Sequence, residues 1–328
     1  MNIQSDLIIP FSIPKSRWEL KPFDSLFLIG SCFSENMYQR LQTRKFDVYS
    51  NPYGILFDTL AVETALKEII HQKKYEESDL FYFNELWNSW NHHGKFSSIS
   101  AQKTLEMINN EIVVSYNKLL KSKVIVITLG TSFSYYYLEN NIPVANCHKV
   151  PQTSFEKRLI EIDEIKLRLQ SILDLIYGLN PSVQIIFTIS PVRHLRDGVM
   201  ENNRSKARLI EAVHDLVSRN EQVHYFPAYE IVIDVLRDYR YYDIDYAHPN
   251  TLATNIVFDY FMKCCVSEEN QLILDKLYTL QLAKNHKPIH PETLAHKKFL
   301  EANLKLALHF QEKYPEIDFS EEIKTFSF

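Results

Sequence analysis

Short apolar runs alternate along the chain with longer segments whose apolar positions recur every three to four residues, a pattern that predicts buried strands each followed by a helix. Ser25-Leu26-Phe27-Leu28-Ile29-Gly30 reads as a buried parallel strand ending in glycine, and Phe46-Asp47-Val48-Tyr49-Ser50 as a second. Val124-Ile125-Val126-Ile127-Thr128-Leu129-Gly130 is the clearest strand, and further strands are expected over 184–190 and 223–226. Between them the spacing predicts a helix capped by Ser34 with Met37 and Leu41 on one face, and a helix capped by Asp58 that runs to about 72. Further helices are expected over 102–121, 154–177, 204–218, 228–237 and 251–265. Five strands alternating with helices predict a right-handed, doubly wound, five-stranded parallel sheet in a three-layer α/β/α sandwich.

Two stretches break the rhythm. Over 75–100, Phe81, Trp87, Trp90, His92, His93 and Phe96 crowd together without a clean period, which reads as an insertion or lid. The tract 135–149 reads as a hairpin or excursion, and the charged tail 268–328 as helices packed on the outside or on a partner. The expected organisation is an α/β domain over 1–267 and a C-terminal helical extension over 268–328 packed on it.

With 328 residues, 45% of them hydrophobic, the chain can bury one large core and an accessory piece. A formal charge of −5 offers no basic surface for nucleic acid or anionic lipid, so neither is expected as a partner. No run is long enough to span a bilayer and 1–18 has no leader pattern. Cys32, Cys147, Cys264 and Cys265 have no framework spacing, and free thiols in a reducing compartment are expected. These readings place the protein in the cytoplasm. They say nothing of its oligomeric state.

Candidate chemistry gathers where the strands end. Of the 6 glycines, Gly30, Gly54 and Gly130 fall just after the first three strands, where ligands bind in such sheets and where glycine lets backbone N–H groups come close. Ser31 follows the first strand at a helix start, a geometry that suits a nucleophile whose oxyanion must be held. Asp245 and His248, three residues apart before a helix, can serve as orienter and base from one segment. The same rim gathers Asn51, Arg193 and His194, with Arg193 and His194 suited to a carboxylate or phosphate. A structural Arg193–Asp197 pair is the competing reading.

Cys32 is a rival nucleophile, expected to point into the core and ranked behind Ser31. His92-His93 with Cys147-His148 fits no zinc spacing, and no metal is expected. No phosphate-cradling glycine–lysine loop and no Gly-x-Gly-x-x-Gly follows a strand, so no nucleotide cofactor is expected.

Gly30-Ser31-Cys32-Phe33-Ser34 resembles the signature of the GSCFA domain family, a branch of the SGNH/GDSL hydrolase superfamily. Asn51-Pro52-Tyr53-Gly54-Ile55, Leu129-Gly130-Thr131-Ser132, Asn146-Cys147-His148-Lys149 and Ser190-Pro191-Val192-Arg193-His194 carry the resemblance over about 24–261. It implies a flavodoxin-like sheet and metal-independent ester hydrolysis, with Ser31 as nucleophile, His248 as base and Asp245 as its orienter. The Ser31 and Gly54 N–H groups would form the oxyanion hole. The superfamily's usual Gly-Asp-Ser is here Gly30-Ser31, and its third-block asparagine is absent after Gly130, which leaves the Thr131 hydroxyl or Asn51 as the further donor.

The function expected is a small-acyl (acetyl) esterase on a carbohydrate or related small molecule, with Asn51, Gly130, Arg193, His194, Trp87 and Trp90 in substrate binding. The alternative is a slow or inactive scaffold that binds glycan or protein through 75–96.

Overall fold

The computed structural model describes residues 9–327; the leader reading over 1–18 falls partly outside them. In chain order the structure comprises β1 (Ser25–Gly30), α1 (Cys32–Gln42), β2 (Asp47–Ser50), α2 (Thr59–Ile70), a hairpin of β3 (Phe81–Phe83) and β4 (Leu86–Asn88), α3 (Ala101–Lys121) and β5 (Val124–Leu129). There follow β6 (Phe133–Tyr137), β7 (Ile142–Val144), β8 (Phe155–Leu159), α4 (Ile162–Leu179), β9 (Gln184–Ile189), α5 (Gly198–Arg219) and β10 (Val223–Phe226). The chain closes with α6 (Ala228–Glu230), α7 (Thr251–Cys265), α8 (Glu268–Lys284), α9 (Leu294–Lys313) and α10 (Ser320–Phe326).

The central sheet runs β10-β9-β5-β1-β2, every pair parallel. In order of appearance that is 2-1-3-4-5, the flavodoxin-like order, whose switch point lies between β1 and β5. Strand alternation divides the core in two. Phe27, Ile29, Ile125, Ile127, Ile185 and Phe187 face the helices α2 to α5. Leu26, Leu28, Val124, Val126 and Ile186 face α1, α7 and the C-terminal helices. Layers of helix, sheet and helix result, because strands buried on both faces have no polar side to give to water.

The C-terminal helices are part of that second core. Leu274, Leu277 and Leu280 of α8, Phe310 of α9 and Phe326 of α10 are buried with Leu20, Leu41 and Phe258. Three local expectations are corrected. Helix α1 is capped by Ser31, not Ser34; Ser34 lies inside its first turn and donates its hydroxyl to Thr128 Oγ1 at 2.9 Å. The helix expected over 154–177 begins with β8, which pairs with β6 beside β7 in a three-stranded antiparallel sheet; the apolar spacing of α4 resumes only at Ile165. The helix expected over 228–237 is one α turn, α6, running into a π-helical turn at Ile231–Val235.

The aromatic stretch 75–100 packs inward. His92 is fully buried, stacked on Tyr53 with ring centroids 3.9 Å apart and bonded through Nδ1 to Ser89. Burial lowers it to about 3, so it is neutral. Trp90 stacks on Phe81 and meets Tyr137 and Phe155. His148 donates from Nε2 to the Ser89 carbonyl. Among the described residues no group of three or more His, Cys, Asp or Glu could hold a metal ion, and no helix is long and apolar enough to cross a membrane.

Candidate functional site

The carboxyl ends of β1, β5 and β9 meet three loops and the start of α1. Gly30 ends β1 with φ +135°, and a Cβ there would lie 2.0 Å from the Thr128 carbonyl oxygen, so only glycine lets β1 run this close to β5. Gly54 has φ +84°, and a Cβ on it would meet the His93 Cβ at 2.2 Å. The aromatic insertion is thus seated directly on the loop after β2. Asn51, also at positive φ, donates its N–H to the Leu28 carbonyl and accepts the Gly30 N–H on Oδ1 at 3.0 Å. With Oδ1 committed, Nδ2 is left buried with no partner.

Asp245 and His248 are brought together. His248 Nδ1 lies 2.6 Å from Asp245 Oδ2, while Asp245 Oδ1 accepts the Ala247 and His248 backbone N–H groups. Those backbone donors, and then the imidazole, hold the Asp245 carboxyl down to about 2. A carboxylate fixed in this way selects the tautomer that keeps Nε2 free to take a proton. Both side chains are about half exposed. Asp243 contributes its backbone instead, donating its N–H to the His248 carbonyl.

His248 lines a cavity of about 190 Å³ with Cys32, Asn36, Val192 and Asn250. Ser31 is not in that lining. It is 1% exposed, its N–H donates to the Thr128 carbonyl, and its Oγ accepts the Phe33 N–H as the cap of α1.

The expected oxyanion donors are corrected likewise. The Ser31 N–H is used in the sheet, and the Gly54 N–H donates to the Asn51 carbonyl at 2.8 Å. The Thr131 hydroxyl bonds Ser205 Oγ and accepts the Phe133 N–H. The Gly54 N–H is engaged because its turn closes on itself, and the Ser31 N–H and the Thr131 hydroxyl because β5 and α5 pack against the turns that carry them. The donor left over is the Asn51 amide nitrogen.

The other expected ligand residues disperse. The Gly130 N–H donates to the Phe57 carbonyl. His194 lies edge-on to Phe57, and burial, then the Lys206 charge, lowers it to about 4. Arg193 donates its N–H to the Ala247 carbonyl and lays its guanidinium 5.0 Å from the Tyr242 ring centre. It lines a separate cleft of about 280 Å³ with Arg237 and Asp238. The Arg193–Asp197 pairing is not formed, because Lys157 takes Asp197. Trp90 lines a third, larger cleft of about 1020 Å³ along the insertion, and Trp87 packs on Tyr82.

One buried group escaped the sequence reading. Lys206, 1% exposed on α5, donates to the Gly130 and Ser190 carbonyls, both at 2.6 Å, at the ends of β5 and β9. Burial lowers it to about 7, with the Cys32 thiol acting in the opposite direction. Its signal was available: Lys206 falls on the stripe of Asn202, Ser205, Leu209, Ala212 and Val213 that α5 buries.

An open parallel α/β sheet of flavodoxin-like order, with a His–Asp pair and a helix start at its carboxyl rim, is the class of protein these features define. The chain belongs to the GSCFA family, whose model matches residues 25–261. A second model, GSCFA domain protein, C-terminal domain, matches residues 279–327. No curated protein matches the chain.

Proposed function

We propose that this protein hydrolyses small acyl esters, with His248 as the base and Asp245 as its orienter, an O-acetyl group on a carbohydrate or related small molecule being the substrate class. The observation that carries the reading is the 2.6 Å His248–Asp245 contact, which engages Nδ1 and leaves Nε2 without that tie on a residue that lines a cavity at the start of α1. Its volume of about 190 Å³ is below the ~300–1,000 Å³ of drug-sized sites, and suits an acyl group with the remainder of the substrate outside. The attacking atom comes from the β1–α1 turn. The four cysteines, all unpaired, fit a reducing compartment and hence the cytoplasm.

The test is hydrolysis of p-nitrophenyl acetate by wild type and His248→Ala, with folding followed by circular dichroism. A folded variant slowed by about 10²–10⁴-fold is the expected result for loss of a general base. Equal rates would sink the reading.

A second reading is supported by the cleft of about 1020 Å³ lined by Tyr75, Phe81, Tyr82, Trp90 and Tyr137, with Asn91 and Asn140 as hydrogen-bonding groups. Aromatic faces with a few polar groups suit sugar rings, so a glycan-binding scaffold without turnover is the alternative. Saturable binding of acetylated oligosaccharide by a protein with no esterase activity would favour it.

A further inference from the structure

The β1–α1 turn offers two adjacent candidates for the attacking atom, and their surroundings separate them. Ser31 Oγ holds the Phe33 N–H and is shut away from solvent. Drawing it out to attack would strip α1 of its cap and leave a buried N–H unpaired. Cys32 is the first helical residue, is only partly buried, and lines the cavity that His248 also lines.

We propose that Cys32 is the nucleophile of this site and that Ser31 serves as the cap of the helix that carries it. The inference rests on the acyl-hydrolase reading and adds the identity of the covalent intermediate, a thioester.

Two further groups fit that role. The buried Asn51 Nδ2 lacks an acceptor, and its amide is held by the Gly30 N–H at the end of the strand that leads to Cys32. An unpaired amide N–H of this kind is the type of donor that holds the oxygen of a tetrahedral intermediate. Lys206 on α5 acts on the Cys32 thiol electrostatically, against the effect of Glu35 on α1. Burial and Glu35 push the Cys32 thiol up, so the sulfur rests protonated and loses its proton as it attacks.

In the first step Sγ bonds to the ester carbonyl carbon, the C=O π pair moves onto oxygen, and His248 Nε2 takes the thiol proton. When the intermediate collapses the C–O bond to the alcohol breaks, and that oxygen leaves with the proton from His248. Water then gives a proton to Nε2 as its oxygen bonds to the thioester carbon. The C–S bond breaks, the sulfur regains the proton, and a carboxylic acid is released. No oxidant or reductant enters.

The experiment treats the full chain with p-nitrophenyl acetate, quenches in acid and maps the acetyl group by mass spectrometry. Wild type, His248→Ala, Cys32→Ala, Cys32→Ser and Ser31→Ala are compared, with Cys147 and Cys264 as internal references for indiscriminate acetylation. The expected result is acetyl on Cys32 that hydroxylamine removes, absent in His248→Ala. Cys32→Ala should lose turnover by about 10³-fold or more, while Ser31→Ala stays within about tenfold because it keeps the thiol and loses only a cap.

Acetyl on Ser31 with an active Cys32→Ala would overturn this inference and leave the esterase reading standing. Activity in Cys32→Ser with the label still at residue 32, now as an ester that resists hydroxylamine at neutral pH, would support the position. Absence of both label and turnover in wild type would overturn inference and reading together.

Discussion

The two halves of the candidate site are held in opposite ways. The β1–α1 turn is buried, and its ties run to other elements: Ser31 N–H to the Thr128 carbonyl, Gly30 N–H to Asn51, Leu56 N–H to the Gly30 carbonyl and Ser34 to Thr128. The segment carrying Asp245 and His248 is half exposed and ties mainly to itself: Asp243 N–H to the His248 carbonyl, Asn250 N–H to the Tyr241 carbonyl, and Asp245 to the two backbone groups that follow it. Its backbone link to the end of β9 is the Arg193 N–H on the Ala247 carbonyl. Side chains that must stay put thus sit on the sheet, and the group that must move a proton sits on a loop with water access. Cys32 apart, damage to the first half should show as lost stability, and damage to the second as lost activity.

The largest effect is expected at Gly30. With φ +135° and a carbonyl oxygen 2.0 Å from any Cβ, Gly30→Ala should cost about 3 kcal/mol or more through forced separation of β1 and β5. Urea unfolding measures it, and a loss below about 1 kcal/mol would show that the turn is less tightly held than its contacts indicate.

Lys206 comes next and concerns pH. Its folded value near 7 lies below the ordinary 10.5, so between these limits the unfolded chain holds the proton more tightly and stability rises with pH. The slope is about 1.4 kcal/mol for each pH unit at most. Lys206→Met should flatten that rise relative to wild type between pH 7 and 10, at the cost of leaving the Gly130 and Ser190 carbonyls unpaired. Thermal melts across that range measure the slope; parallel curves for the two proteins would be the contrary result.

In the exposed half, Asp245→Asn should lower turnover by about 10–100-fold through loss of the imidazole's orientation, with stability changed by less than about 0.5 kcal/mol apart from the weaker turn. Asp243, which meets His248 only through its backbone, provides the contrast: Asp243→Asn should leave kcat within a factor of about two to three. A greater loss in Asp243→Asn would reverse the assignment of orienter. The smallest effect is the cap. Ser31→Ala should cost about 1 kcal/mol, detectable as a lower melting temperature with labelling of Cys32 retained.

Much of the fold was legible because strand and helix periods are local. The five parallel strands stand where the apolar runs placed them, and Asp58 caps α2 as its position before a helical pattern suggested. β8 was missed because Phe155, Lys157 and Leu159 alternate over too few residues to separate them from the helix that follows. The Asp245–His248 contact was legible for the same reason of proximity along the chain.

The sequence by itself determined the parallel α/β architecture, the rim on which polar residues gather, and the partnership of Asp245 with His248. All of these follow from spacings of a few residues. Only the tertiary structure decided which of Ser31 and Cys32 meets the cavity, that three expected oxyanion donors are already bonded, that Asn51 Nδ2 is free, and that Lys206 is buried beneath the strand ends. Those outcomes depend on which groups lie opposite one another once β1, β5 and α5 are packed; partners such as Thr128 for Ser31, Ser205 for Thr131 and Gly130 for Lys206 are far away along the chain, beyond the reach of any local period.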